Sequence, residues 1–313
     1  MNTIQPQTVL ITGASGFLGT YMGDACAAAG HRLIGLDLRA PLRPQLWHRF
    51  ITASCETAPL GEILQQENVQ VIYHLAGGAS VPASVENPLA DFAALLPGTM
   101  ALVAAMLKRK PDARLVFFSS AAVYGNPESL PITEDTPLKP ISPYGIHKAA
   151  VETLLQHYSR AFGLRMAALR IFSAFGPGLR KQLIWDVSQR ALTAAAKGEK
   201  QITLFGTGAE TRDFIHATDI ARAAMLVAGR DDVKVFEIFN IASGREIQIA
   251  DVARLLIKGL GLAIAVKFDG KVRAGDPLNW RADISRLAGL GFRNSITVEQ
   301  GLVEVGAWVK NGG

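Results

Sequence analysis

The start of the chain constrains its fold most. The apolar run at residues 8–11 passes without a spacer into Gly13-Ala14-Ser15-Gly16-Phe17-Leu18-Gly19, and then into residues with helical spacing. A strand that turns at once into a helix uses glycines for the tight turn, for close backbone approach and for helix–strand packing. The N-terminus of such a helix presents unpaired N–H groups and a positive dipole end to an anion. The pattern therefore predicts a pyrophosphate seat. Asp37 closes the next apolar run, where a carboxylate receives ribose hydroxyls and repels a 2′-phosphate, so NAD is expected over NADP. Arg39 is the nearby cation that could offset this preference.

The rest of the first half repeats the theme. Apolar runs at 32–36, 49–52, 71–75, 115–119 and 166–171 alternate with helical spacing at about 17–29, 59–67, 87–108 and 144–162. Near-continuous apolar strands between helices predict a parallel sheet covered on both faces, an α/β doubly wound (Rossmann) fold. After residue 171 the pattern loosens into a helix near 183–197, a strand at 202–204, a Gly-rich loop, a helix at about 218–228 and a strand at about 235–241. The 313 residues suit about two units at roughly 150 residues each. We expect a cofactor unit at 1–172, joined by about 214–241, and a smaller interleaved α/β unit at 173–213 and 242–313 that takes the substrate.

Composition removes several classes of function. With 49% hydrophobic and 19% charged residues the chain can bury a large core, which excludes disorder and small disulfide scaffolds. The net charge of +5 sits in short knots such as Lys108-Arg109-Lys110 and Arg180-Lys181, without aromatic interleaving, so a small anion is expected rather than nucleic acid. Cys26 and Cys55 have neither metal-ligand nor disulfide spacing, so no metal is expected and the thiols are read as reduced and partly buried. The stretch 92–107 is read as too short to span a bilayer and as broken by Pro97-Gly98. No leader precedes the first strand, and a cytoplasmic protein without a membrane partner is expected.

Tyr144 and Lys148 stand four apart and share one helix face. An ammonium beside a phenol favours the phenolate, which is expected to lower the tyrosine pKa and make a base for an alcohol. Ser119 and Ser120 close the fifth strand at the carboxyl edge of the sheet, where ligands bind in such folds. Ser120 is expected to meet Tyr144 there and polarise the reacting oxygen.

Taken in order, these pieces resemble the extended short-chain dehydrogenase/reductases of the nucleotide-sugar epimerase/dehydratase family, the 4-epimerases in particular. The matching segments are Gly13 to Gly19, His74-Leu75-Ala76-Gly77, Ser119-Ser120-Ala121-Ala122-Val123-Tyr124-Gly125 and Tyr144-Gly145-Ile146-His147-Lys148. They continue with Arg170-Ile171-Phe172-Ser173-Ala174-Phe175-Gly176-Pro177, Gly206-Thr207-Gly208, Arg212-Asp213-Phe214-Ile215-His216, Asn240-Ile241-Ala242-Ser243-Gly244 and Arg273-Ala274-Gly275-Asp276-Pro277. The resemblance implies Ser120, Tyr144 and Lys148 as catalytic residues. It implies an NAD shell of Gly13, Ser15, Gly16, Phe17, Leu18, Gly19, Asp37, Leu75, Ala76, Gly77, Ser119, Tyr144, Lys148 and Ile171, with Ser54-Cys55 against the adenine.

By the same resemblance, Ser120, Ser173, Gln182, Leu183, Phe205, Arg212, Arg273 and Trp280 receive a nucleotide sugar. Arg212 and Arg273 would face the diphosphate, Phe205 the base, and Trp280 would narrow the sugar pocket. Dehydratases and decarboxylases of the family resemble one another in acidic residues after the catalytic hydroxyl, where this chain has Ala121 and Ala122. Hydride chemistry alone remains. The resemblance thus implies 4-epimerisation of a nucleotide hexose, usually a UDP-sugar, through a 4-keto intermediate. A nucleotide-4-keto-6-deoxyhexose 4-reductase is the alternative, and a silent dinucleotide sensor or scaffold the alternative of another class. A homodimer through helices at about 87–108 and 144–162 is implied as well.

The chain departs from the family pattern at Ser173, where Asn is usual, at Ala79, where Lys is usual, and at Leu95, where Asn is usual. His147 replaces a common Ser and is read as a solvated helix residue.

Overall fold

The fold follows from a parallel sheet whose strands are too apolar to face water on either side. In the computed structural model, residues 5–78, 80–230, 236–271 and 279–313 are described. Ala79, the start of the strand expected from 235 and the motif Arg273-Ala274-Gly275-Asp276-Pro277 lie outside them. The elements of the first half are β1 (Thr8–Thr12), α1 (Phe17–Ala28), β2 (Arg32–Asp37), β3 (Arg49–Thr52), α2 (Leu60–Gln66), β4 (Val71–His74), α3 (Val81–Glu86), α4 (Pro88–Arg109), β5 (Arg114–Ser120), α5 (Pro143–Phe162) and β6 (Arg165–Ile171). Then come β7 (Ser173–Phe175), α6 (Gln182–Ala196), β8 (Gln201–Leu204), β9 (Thr211–His216), α7 (Ala217–Ala228) and β10 (Glu237–Ile241). The chain closes with β11 (Glu246–Gln248), α8 (Ile249–Gly259), β12 (Ala265–Phe268), α9 (Ser285–Gly289) and α10 (Val298–Lys310).

Seven parallel strands form one sheet in the order β10-β6-β5-β4-β1-β2-β3. Alternate side chains of each strand enter separate cores. Val9 and Ile11 join Tyr73, Val116 and Leu169 with α1 and α7, whereas Leu10 joins Ile72, Phe117 and Ala168 with α2, α4 and α5. Strand order reverses between β1 and β4, opening a crevice beyond their carboxyl ends. β10 returns to this sheet beside β6, so the chain leaves the first unit after β6 and comes back to it. Between and after these crossings, β7, β9 and β11 form a small sheet and β8 pairs with β12. A separate core of Ile184, Val187, Leu204, Phe214, Leu256 and Leu302 joins α6, α8 and α10 there.

One expectation fails. α4 is not broken at Pro97-Gly98 but runs through both as a single helix of 22 residues. Proline in a helix interior removes one backbone donor. Here the helix keeps its course because Leu95, Gly98, Thr99, Leu102, Val103 and Met106 bury a continuous stripe. Among the described residues, α4 is the one helix long and apolar enough, by length and composition, to cross a bilayer, and that stripe packs onto the sheet.

α5 is held to the sheet by charge as well as by packing. Arg170 of β6 donates to Glu152 of α5 through Nη2 at 2.7 Å and Nε at 3.1 Å, with both side chains 3% exposed. Arg170 Nη1 donates to Tyr124 Oη and to the Glu134 carbonyl, Tyr124 donates to Asn240 Oδ1, and Ser119 donates to Glu152. Removing one member of such a buried pair leaves an uncompensated charge, at a cost of about 3–5 kcal/mol. Glu152→Ala should therefore lower unfolding stability by that amount in urea titration. A loss below about 1 kcal/mol would show that the pair does not anchor α5.

Candidate active site

The crevice is shaped first by what glycine leaves out. Gly13 has φ +72°, and a Cβ there would stand 2.8 Å from the Ala76 nitrogen. A Cβ on Gly19 would stand 2.1 Å from the Gly13 carbonyl oxygen. The turn and the first helical residues are therefore pressed together, leaving α1 with Gly16 as its N-cap and its N-terminal amides toward the crevice. Phe17 and Leu18 begin α1, and Phe17 meets Tyr21 edge-on.

Asp37, at the end of β2, faces this turn. Its carboxylate accepts the N–H of Ser15 and that of Arg39, each at 3.0 Å. Ser15 Oγ donates to the carbonyls of Arg39 and Ala40, closing the loop. The Arg39 guanidinium donates to the Ser15 carbonyl and lies 3.8 Å from Asp37, so it is folded onto the acid. Ser54 is engaged with Thr57, and burial pushes the neighbouring Cys55 thiol up to about 11.

On the other side of the switch point a buried chain of hydrogen bonds fixes the loop after β4. The Leu75 N–H reaches the Thr12 carbonyl, and the Ala76 N–H reaches Thr12 Oγ1. Thr12 Oγ1 lies 2.7 Å from His74 Nδ1, His74 Nε2 lies 2.8 Å from Thr99 Oγ1, and Thr99 donates to the Leu95 carbonyl. Because the Thr99 proton is spent on Leu95, Thr99 accepts from His74 Nε2–H, and Nδ1 accepts from Thr12. Burial lowers the His74 pKa to about 3, which keeps the ring in that neutral tautomer. The chain holds Leu75, Ala76 and Gly77 over Gly13 and ends on the Leu95 carbonyl, while the Leu95 side chain lies against Gly77.

The catalytic candidates come together at the end of β5. Ser120 pairs in register with Ile171 and continues into a short 3-10 turn over Ala121–Tyr124. Gly145 has no side chain because a Cβ there would stand 2.6 Å from the Ala122 carbonyl, so the start of α5 packs directly on that turn. Ser142 caps α5 by accepting from Gly145, and the Tyr144 N–H donates to buried Ser84 of α3. The Ser120 hydroxyl is thereby brought beside the Tyr144 phenol, close enough to lower its pKa. Ser119 is turned the other way, onto Glu152.

Lys148 is buried, with Nζ donating to the Phe118 carbonyl at 2.8 Å and standing 5.8 Å from the Tyr144 ring centre. Burial lowers its pKa to about 8, against the opposing charges of Asp91 and Glu152. The expected lowering of Tyr144 is not what this geometry gives. Burial raises its pKa, the neighbouring Ser120 hydroxyl opposes that rise, and Asp91 adds to it. Lys148 has spent its nearest contact on the Phe118 carbonyl, beside the phenol rather than on its oxygen.

His147 also departs from expectation. It is not a solvated residue: its side chain is 14% exposed, and Nδ1 lies 2.7 Å from Asp91 of α4. Sequence reading missed Asp91, which lies 56 positions away and carries no motif. It missed Ser84 and Glu210 for the same reason, whereas Glu152 sits one helical turn past Lys148, a spacing that could have drawn notice.

Beyond the crevice a cavity of about 480 Å³ opens toward the second unit. Ser173, Gln182, Leu183, Phe205 and Arg212 line it, together with Asp186, Arg190, Glu210 and Lys271, which were not anticipated. Gln182 begins α6 at φ +66°, a conformation non-glycine residues seldom take. Glu210 accepts from the amides of Thr207 and Gly208 and so fixes the loop that carries Phe205. Trp280 is not among the cavity residues. It packs on Phe172, donates to the Gly125 carbonyl and lies under the Arg212 guanidinium, 5.8 Å from it. Arg273 lies outside the described residues.

A family model described as the NAD dependent epimerase/dehydratase family matches residues 9–242. This chain belongs to that family. A putative UDP-glucose 4-epimerase from Methanocaldococcus jannaschii is 30% identical over 97% of this chain and 98% of its own length. The structure of a UDP-N-acetylglucosamine 4-epimerase from Methanobrevibacter ruminantium M1, in complex with UDP-N-acetylmuramic acid, superposes with a TM-score of 0.86 at 28% identity, covering 98% of this chain and 99% of that one. That of MoeE5 in complex with UDP-glucose and NAD also gives 0.86 at 28% identity, covering 97% and 99%.

The Gly13–Gly19 cradle, the α1 amides and the Asp37 carboxylate fit the dinucleotide of this family. Gly19→Ala tests that fit. Its Cβ must displace the Gly13 carbonyl, so NAD retained by the purified protein should fall at least about tenfold, equivalent to about 1.4 kcal/mol, with circular dichroism unchanged. Full retention would mean that the dinucleotide lies elsewhere.

Proposed function

We propose that the chain is an NAD-dependent epimerase that inverts C4 of a nucleotide-diphosphate hexose, a UDP-sugar in the first place, through a transient 4-keto sugar. One observation supports this reading: Ser120, Tyr144 and Lys148 lie together at the carboxyl end of β5, in a chain that also carries the glycine cradle and a cavity of about 480 Å³ lined by Ser173, Phe205 and Arg212. NAD, held by the Gly13–Gly19 cradle and the Asp37 carboxylate, would supply the reversible hydride acceptor that oxidation at C4 requires. Tyr144 Oη, as the phenolate, takes the proton of the C4 hydroxyl and gives it back, while Ser120 donates a hydrogen bond to the sugar oxygen. Lys148, anchored on the Phe118 carbonyl, supplies a fixed positive charge beside the phenolate. Ala121 and Ala122 offer no acid or base for elimination, so the reaction stays with hydride exchange.

In this reading residues 1–172, with about 214–241, hold the cofactor, and residues 173–213 and 242–313 hold the nucleotide sugar. Arg212 and Arg273 would take the diphosphate, Phe205 the base, and Ser173, Gln182 and Leu183 the groups between. Trp280 packs against Phe172 and the Gly125 carbonyl, outside the lining of that cavity. The buried free thiols of Cys26 and Cys55 suit a reducing compartment, the cytoplasm.

The test is direct. Protein denatured after purification should release NAD, and the holoprotein should interconvert UDP-glucose and UDP-galactose without added oxidant. Tyr144→Phe should retain NAD but lose at least about a hundredfold in kcat. Unaltered turnover would remove Tyr144 from the reaction. Consumption of NADPH with a 4-keto sugar, and no interconversion, would replace the epimerase by a reductase.

The chain is also proposed to act as a homodimer through α4 and α5. Leu89 and Phe92 of α4 and Ile146 of α5 are 79%, 44% and 51% exposed, and residues 92–107 carry no charge. Two such helices from each of two copies would cover this apolar face as a four-helix bundle. Light scattering should give twice the chain mass for the parent and the single mass for Leu89→Arg/Phe92→Arg. A dimer surviving in that variant would exclude this face.

A further inference from the structure

Asp91 and His147 lie beside the catalytic set, yet the reaction outlined above gives them no part. Asp91 stands in the first turn of α4, where the helix dipole favours a carboxylate, and its side chain is only 7% exposed. Its Oδ2 lies 2.7 Å from Nδ1 of His147, so Nδ1 carries the proton, a carboxylate being an acceptor only. Its Oδ1 lies against the loop after β4, where a Cβ built on Gly78 would stand only 2.0 Å away. The carboxylate is thus wedged between the start of α5 and the glycine loop above the cofactor crevice. The Phe92 ring meets the imidazole edge-on, with centroids 5.6 Å apart, and limits its rotation.

We propose that Asp91 and His147 are a positioning pair, in which His147 locks the Asp91 carboxylate so that it supports the Gly77-Gly78 loop and sets the electrostatic environment of Tyr144 and Lys148. The proposal rests on the catalytic reading above for its importance to turnover, though not for its test. Other groups face the same site. His74 from β4 is neutral, Ser120 from β5 donates no charge, and Glu152 from α5 is compensated by Arg170. Asp91 is then the net negative charge facing the phenol. It raises the pKa of Tyr144, and together with Glu152 it works against the desolvation that lowers Lys148. The pair consequently helps keep Lys148 charged and raises the pH at which Tyr144 becomes the phenolate that acts as base.

The sign follows. Removing the charge at Asp91 makes the phenolate easier to form. The ionisation of Tyr144 can be read in the NAD holoprotein as the phenolate absorbance difference between each protein and the same protein carrying Tyr144→Phe. Asp91→Asn should lower that midpoint by about half to one pH unit. His147→Asn, whose amide can still donate to Oδ2, should keep the parental midpoint. His147→Ala lets the carboxylate turn to solvent and should lower the midpoint by a smaller amount, with kcat reduced about threefold or more and KM unchanged.

An unchanged midpoint in Asp91→Asn would overturn the proposal. So would equal behaviour of His147→Asn and His147→Ala, which also decides the matter should Asp91→Asn not fold. The titration uses no sugar, so it answers even if epimerisation itself proves to be the wrong reaction.

Discussion

The Glu152 carboxylate is the contact on which the geometry of the site depends. It sits one turn beyond Lys148 on α5 and is held from below by Arg170 of β6 and Ser119 of β5. These contacts set the depth and rotation of α5 on the sheet, and Tyr144 and Lys148 follow from them. Arg170 extends the hold to Tyr124, the Glu134 carbonyl and, through Tyr124, Asn240 of β10. A strand contributed after a long excursion is thereby tied to the helix that carries the chemistry. Buried charge is costly unless its partners are in place, and here both Glu152 oxygens have donors, Ser119 and Arg170.

The same economy of partners governs the cofactor side. Glycines at 13 and 19 let backbone lie on backbone, and Thr12, His74 and Thr99 carry a directed row of hydrogen bonds across the switch point. The row ends on the Leu95 carbonyl, which explains how the chain tolerates leucine at that position. His147 shows the reverse. In place of a small hydroxyl the chain has an imidazole, and α4 answers it with a buried acid. Departures from the family pattern are thus of two kinds: those the backbone absorbs and those that bring a new partner.

Legibility in the sequence tracks how local each cause is. The turn from Gly13 to Gly19, the carboxylate of Asp37 and the Tyr144–Lys148 spacing are set by neighbours within one or two turns, and all could be read directly. The course of α4 through Pro97 could not, because a local loss of one donor competes with a burial stripe supplied by the sheet. The state of Tyr144 was misread for a related reason. Spacing brings an ammonium near a phenol, but only packing decides that the phenol is buried and that Lys148 points one of its N–H groups at the Phe118 carbonyl.

By itself, the sequence determined that strands and helices alternate, that a glycine turn joins the first strand to the first helix, and which residue types can transfer a proton. These are consequences of periodicity and of groups close along the chain. Tertiary structure alone decided that Asp91 meets His147, that Glu152 meets Arg170, and that Trp280 packs by Gly125 rather than among the cavity residues. Each of those joins residues far apart in the chain. Their meeting depends on the relative placement of whole elements, which side-chain order within any one element does not encode.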